Sequence, residues 1–246
     1  MVIMDIGAAF SEALTHFDAG RPTQARALCR RIITAQPGFG GGHYLLGLIE
    51  LQAGRARKAL PPLRTAVDLS PNAPAPRLAL ARALTSAGQA EAAAEAYQWA
   101  LALGSNADAE SELADLLRLD GRLEEALLHY RAALALMPER PETLNGLGAA
   151  LTESGRAEEG EPLLARALEF RPGWPSALNN HGVALLALRR TGEAALCFAQ
   201  AADAKPDFAA AYRNLADALH LLGRLDDAEA AAHNALSLDS KDALAW

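Results

Sequence analysis

The sequence predicts an all-α fold, a solenoid of tandem antiparallel helix pairs. Three observations carry this. A stretch running from Gly-Arg to Pro recurs as "GRPTQARALCRRIITAQP" (20–37), "GRARKALPPLRTAVDLSP" (54–71), "GRLEEALLHYRAALALMP" (121–138) and "GRAEEGEPLLARALEFRP" (155–172), on a spacing of about 34 residues or twice that. Small residues hold fixed columns in that period. Leucines recur four apart on one helical face, and a single helix pair cannot bury such a face alone, so neighbouring pairs must stack.

The period divides the chain into seven repeats: 6–39, 40–73, 74–106, 107–140, 141–174, 175–208 and 209–242. Six have 34 residues and one has 33, together 237 of the 246, read here as one solenoid over 1–246. Within each repeat, helix A comes first. Its position 8 is always small (Ala13, Gly47, Ala81, Ala114, Gly148, Gly182, Ala216), and leucine recurs at positions 7 and 11, as in Leu147 and Leu151. The turn follows at position 15, glycine in six repeats (Gly20, Gly54, Gly88, Gly121, Gly155, Gly223) and Arg189 in the sixth repeat. Glycine takes the positive φ that ends helix A. Helix B follows, small again at position 20 (Ala25, Ala59, Ala93, Ala126, Gly160, Ala194, Ala228), and position 27 is alanine except at Ile32. Small side chains let helices approach closely. Proline at position 32 (Pro37, Pro71, Pro138, Pro172, Pro206) stops helix B, with serine there at Ser105 and Ser240. The first repeat is less regular, with Ala9, Glu12 and His16 at usually apolar positions, and "GFGGGH" (38–43) reads as a flexible or irregular junction. The terminal "ALAW" (243–246) falls on positions 1 to 4 of an eighth repeat, so Trp246 is expected to open another helix A and the chain to be a fragment.

Taken together, these columns resemble the tetratricopeptide repeat family over nearly the whole chain. The resemblance implies a right-handed superhelix whose helices A line a concave face and whose helices B lie outside. It places ligand contacts at helix A positions 2, 5, 6, 9, 12 and 13. Three zones result. Phe10, Leu14, Phe17, Tyr44, Leu45, Leu48 and Leu51 form an apolar end. That end is expected to hold an apolar peptide or dock a second copy of the chain; alternatively, residues 1–5 fold back as extra helix and cover part of it. Arg82, Asp108, Glu112, Asp115 and Arg118 form a mixed, acid-rich zone, suited to a basic or polar ligand segment or simply a solvated face. Asn145, Asn179, Asn180, Arg213, Asn214, Asp217 and His220 form a polar zone. Asn180 and Asn214 share position 6, with Asn145 one place off. An asparagine ladder pairs with the backbone of an extended peptide without reading its sequence. This part looks like the ladder in the repeats of O-linked N-acetylglucosamine transferases.

Composition excludes other classes. A net charge of −7 gives no basic face for nucleic acid. No run approaches the roughly 18 apolar residues of a membrane span, and "MVIMD" lacks the positive start of a secretory signal. Cys29 and Cys197 make no disulfide framework and read as core thiols, which fits a cytoplasmic protein. The six histidines show no helical metal pair, so no metal or cofactor is expected. The arginines after the turn (Arg21, Arg55, Arg122, Arg156, Arg224) are expected to sit at the negative end of helix A rather than to form a binding stripe. The expected function is a non-catalytic scaffold that binds a peptide or partner protein in its groove, with a homo-oligomer through the apolar end as one form. The alternative is the substrate-recruiting part of a larger, bacterial-type enzyme, a glycosyltransferase, sulfotransferase or methyltransferase, with its catalytic domain beyond residue 246.

Overall fold

The computed structural model describes residues 4–244, with side chains through 238. Trp246 and residues 1–3 lie outside the described residues, and with them most of the expected N-terminal extra helix. Asp5 is extended and caps the first helix through its carboxylate, which accepts from Ala8 N at 3.0 Å. Every element among the described residues is helical. Helices A are α1 (Ile6–Asp18), α3 (Gly40–Gln52), α5 (Pro74–Ser86), α7 (Ala107–Leu119), α9 (Pro141–Glu153), α11 (Pro175–Ala187) and α13 (Ala209–Leu221). Helices B are α2 (Pro22–Ala35), α4 (Ala56–Leu69), α6 (Ala90–Leu103), α8 (Leu123–Leu136), α10 (Ala157–Phe170), α12 (Thr191–Ala204) and α14 (Leu225–Leu244). The chain divides into two compact units, one reaching to Leu116 and one starting at Leu117. Each is a stretch of all-α repeat solenoid, in which a helix packs on its chain neighbours and helices A also touch the next helix A, as α1 with α3 and α9 with α11.

The turn between A and B is the same device each time. The six position-15 glycines have φ between 67° and 80°. The residue after each closes the motif, as where Arg55 N donates to Glu50 O at 2.9 Å, satisfying a carbonyl the helix leaves over. Arg189 adopts the same conformation at φ 63°, among the described residues the one non-glycine residue with positive φ.

Close approach explains position 8. A Cβ on Gly47 would lie 2.4 Å from Leu63, one on Gly148 2.6 Å from Leu164, and one on Gly182 2.5 Å from the Phe198 ring. Leu63, Leu164 and Phe198 all stand at position 24 of their own repeat and are fully buried. Helix A therefore carries a notch and helix B the side chain that fills it.

Two expectations change. "GFGGGH" is no loose junction: Gly40, Gly41 and Gly42 form the first turn of α3. The missing side chains make room for others. A Cβ on Gly41 would meet the Phe39 ring at 3.0 Å and Phe10 at 3.2 Å, and one on Gly42 would meet Ile32 at 3.1 Å. Phe10 and Phe39 pack edge to face, 5.1 Å apart. At the other end, α14 runs through Leu244 without the turn the repeat places near Ser240. Serine, unlike the five prolines, keeps its N–H and does not clash with the preceding turn. Pro61, Pro62 and Pro162 lie inside α4 and α10 without ending them; Pro61 and Pro162 are on the exposed side, where water reaches the carbonyls they leave unbonded.

Candidate functional site

Helix A positions 5, 6, 9, 12 and 13 put side chains on one face of each unit. The apolar end lies in the first unit. Phe10 and Phe17 are half-buried and pack on a core of Ala13, Ala25, Cys29, Leu45 and Ile49. Leu45 is only 1% exposed, so it belongs to this core and not to a binding surface. Leu14 is exposed, and Tyr44, Leu48 and Leu51 are half-buried. Beneath them Glu50 is buried between two guanidiniums, 2.8 Å from Arg26 and 2.5 Å from Arg55. The two flanking guanidiniums supply hydrogen bonds and counter-charge at this buried position.

The charged zone is largely self-paired. Arg82 Nε donates to both carboxylate oxygens of Glu112, at 3.1 and 2.8 Å. That bond, more than anything else, holds the Arg82 pKa above its ordinary value, and Asp108 adds to it. Tyr97, buried on α6, donates its hydroxyl to Glu112 at 3.0 Å; burial, then the Glu112 charge, pushes its pKa up. Asp115 is exposed on α7. In the second unit Arg118 Nη1 donates to Glu153 at 2.6 Å, and Arg118 also interacts with Tyr130 of α8. The structure thus does not present this zone as a row of open acids for a basic ligand: Glu112 already holds an arginine and a tyrosine.

The asparagines of the second unit pair with each other. Asn180 Nδ2 donates to Asn145 Oδ1 at 3.0 Å, and Asn214 Nδ2 donates to Asn179 Oδ1 at 2.9 Å. All four are half-buried, while Arg213, Asp217 and His220 are exposed beside them. Both pairs join position 6 of one helix A to position 5 of the preceding one, 35 residues back. Asn145, one place off the sequence column, is therefore in spatial register, because successive helices A are staggered. Each amide in a pair still has hydrogen-bonding capacity left over, since an amide group has two donors and an acceptor. Next to the Asn145–Asn180 pair a cavity of about 90 Å³ is lined by Ala149, Thr152, Glu153, Asn180 and Val183. Of these, Ala149, Thr152, Glu153 and Val183 did not stand out in the sequence, although positions 9, 12 and 13 of the same columns contain them.

The arginines after the turn are not a free stripe. In the later repeats they pair forward into the first turn of helix B, where Arg122, Arg156 and Arg190 grip Glu125, Glu159 and Glu193, and Arg224 grips Asp227. The bond from each arginine lowers the pKa of its glutamate. The expected attraction to the end of helix A is thus replaced by side-chain pairing three residues on. Where position 19 is not acidic, as at Lys58, Arg55 turns instead to Glu50.

One constellation escaped the sequence. Cys197 Sγ lies 3.7 Å from His181 Nδ1, and His181 Nε2 lies 3.2 Å from Glu161, which also accepts from Arg190 at 3.0 Å. The order is that of a nucleophile, base and orienting acid. Burial, followed by the nearby Glu193 charge, raises the Cys197 pKa, so the thiol is held neutral rather than activated. Among the described residues no group of His, Cys, Asp and Glu side chains is placed to hold a metal ion, and no helix is long and apolar enough to cross a membrane.

Comparison with known proteins adds the following. A sequence model of the tetratricopeptide repeat matches residues 10–74, 78–141 and 179–243, and a second such model matches residues 117–179. No curated protein matches the sequence. Among solved structures, YrrB, described as a tetratricopeptide repeat protein with an unusual peptide-binding site, is 20% identical with a TM-score of 0.64, over 74% of this chain and 95% of that one. PilF of Pseudomonas aeruginosa is 24% identical with a TM-score of 0.67, over 78% and 88%. A tetratricopeptide repeat protein from Parabacteroides merdae is 14% identical with a TM-score of 0.73, over 95% and 93%. At these identities the likeness is one of fold.

Proposed function

Because the chain belongs to the tetratricopeptide repeat family, we propose that it is a non-catalytic interaction scaffold whose helix-A face takes an extended peptide segment of a partner protein. The observation that carries this is the pair of Asn–Asn hydrogen bonds, Asn145–Asn180 and Asn179–Asn214. Paired amides are fixed in orientation before a ligand arrives, so little side-chain entropy is lost on binding. Their remaining N–H and C=O groups suit peptide backbone groups of either kind. Adjacent helices pack about 8–10 Å apart, which is roughly three residues of extended chain. One contact per helix A thus reads every third peptide unit without reading side chains. The peptide-binding description of YrrB favours the same class of ligand here. The self-paired Arg118–Glu153 bridge serves as a wall beside the asparagines, and Arg213, Asp217 and His220 offer charged contacts on the same unit. Recruitment of a substrate for an enzyme would use this same surface.

The test is a peptide array probed with wild type and with the double substitution Asn180→Ala, Asn214→Ala. Loss of two hydrogen bonds is expected to weaken bound peptides by about tenfold or more, at roughly 1 kcal/mol each. An unchanged set of affinities would show that the asparagines do not hold the ligand.

A further inference from the structure

The cavity between α9 and α11 lies within the proposed peptide-binding face, and its walls are chemically uneven. Ala149 and Val183 are apolar; Thr152, Glu153 and Asn180 are polar. The polar three are mainly acceptors. The Thr152 hydroxyl gives its hydrogen to Gly148 O at 2.8 Å and has none left for a guest. Glu153 accepts from Arg118 through Oε1, and a carboxylate has further lone pairs. Asn180 gives one N–H to Asn145, which leaves its Oδ1 and a second N–H. The pocket is small, about 90 Å³, and opens to solvent on the Val183 side.

From these features we infer that the cavity is a side-chain subsite, and that it selects threonine, then serine, at one position of the bound peptide; this rests on the peptide-binding reading above. Threonine has three heavy atoms beyond Cα. Its hydroxyl donates to Glu153 or Asn180 Oδ1 and accepts from the remaining Asn180 N–H. Its methyl group meets Ala149 and Val183. Valine has the same shape but no donor, so it forgoes the hydrogen bond that threonine makes to the wall oxygens. Aspartate is repelled by Glu153. The backbone contacts of the asparagine pairs thus set affinity, and this cavity sets which residue sits at one place.

The experiment uses fluorescein-labelled positional-scanning peptide mixtures, with one position at a time fixed as Thr, Ser, Val, Ala, Asp or Lys, and anisotropy as the readout. Wild type is expected to favour Thr over Val by about fivefold to tenfold at one position. Val183→Phe fills the cavity from its outer side; Val183 is 36% exposed, so the larger ring needs no core space, and a circular-dichroism melt verifies the fold. That variant should lose the Thr preference, whatever its overall affinity. Asn214→Ala, outside the cavity, should do the reverse, weakening every mixture while keeping the preference. Wild-type binding with no Thr or Ser preference, or a preference that survives Val183→Phe, overturns the subsite and leaves the peptide-binding reading standing. If no mixture binds wild type, both fall together.

Discussion

Arg189 sits at φ 63° in the turn where the other repeats place glycine. A side chain in that region costs on the order of 1–3 kcal/mol, partly offset by the extra freedom glycine gives the unfolded chain. Arg189→Gly should therefore raise stability by about 1 kcal/mol in denaturant titration; a decrease would mean the arginine side chain compensates in a way its exposure does not suggest. A second residue-scale prediction concerns Cys29, whose thiol burial pushes up from about 9 to about 11. The neutral thiol is favoured by the folded state. Its contribution is complete below pH 9 and is lost as pH rises toward 11. At 1.36 kcal/mol per pH unit, the stability of wild type relative to Cys29→Ala should fall by about 2 kcal/mol over that window. A difference that stays flat from pH 8 to 11 would show Cys29 to be solvated. The residue scale is also where the sequence was least complete. Asn180 and Asn214 stood out as a column, but the pairs the structure forms run 35 residues back, as Arg118–Glu153 does, while Arg82–Glu112 runs 30. Stagger between helices decides these partners, and no single column records it. Cys197, His181 and Glu161 come from three helices, so spacing alone gave no sign of them.

At the level of helices, local chemistry decided nearly everything, so helix boundaries were readable. Proline and glycine act on the chain within a turn of where they stand. The misreadings fell where a residue acts through a neighbour. Gly40 to Gly42 looked flexible because glycine alone is flexible; they are helical because Phe10, Phe39 and Ile32 need the space. Two glycines in the same helix pair separate these roles. A Cβ on Gly182 would lie 2.5 Å from Phe198, whereas Gly192 in α12 has nothing within 4 Å. Gly182→Ala should cost about 2 kcal/mol through overpacking. Gly192→Ala should add about 0.8 kcal/mol through helix propensity. Thermal melts of the two variants moving in the same direction would contradict this assignment.

Within each unit, among the described residues, the helix contacts run between helices close in the chain, as α9 with α10 and α11. Stability in such an array is a sum of repeat and nearest-neighbour terms, so damage stays local. In hydrogen exchange, Gly182→Ala should speed amides of α11 and α12 most, and leave those of α1 to α4 at wild-type rates. Uniform acceleration from end to end would instead indicate a single cooperative unit. The repeat architecture was legible because seven copies repeat the same signals, and agreement among copies outweighs an irregular one. The helix-A face proposed to take a ligand was legible as a set of columns, but its pockets were not, since they form between helices.

The notch at position 8 and the side chain at position 24 that fills it belong to the same repeat, one on each side of the position-15 turn. Gly148 receives Leu164, and Gly182 receives Phe198. They form one heritable module. Gene duplication or recombination that breaks the chain in the loops between repeats passes both halves on together. A crossover at the turn hands a glycine cut for leucine to a phenylalanine ring. Shuffled versions of this chain should thus tolerate junctions near Pro172 and Pro206 better than junctions near Gly155 and Arg189.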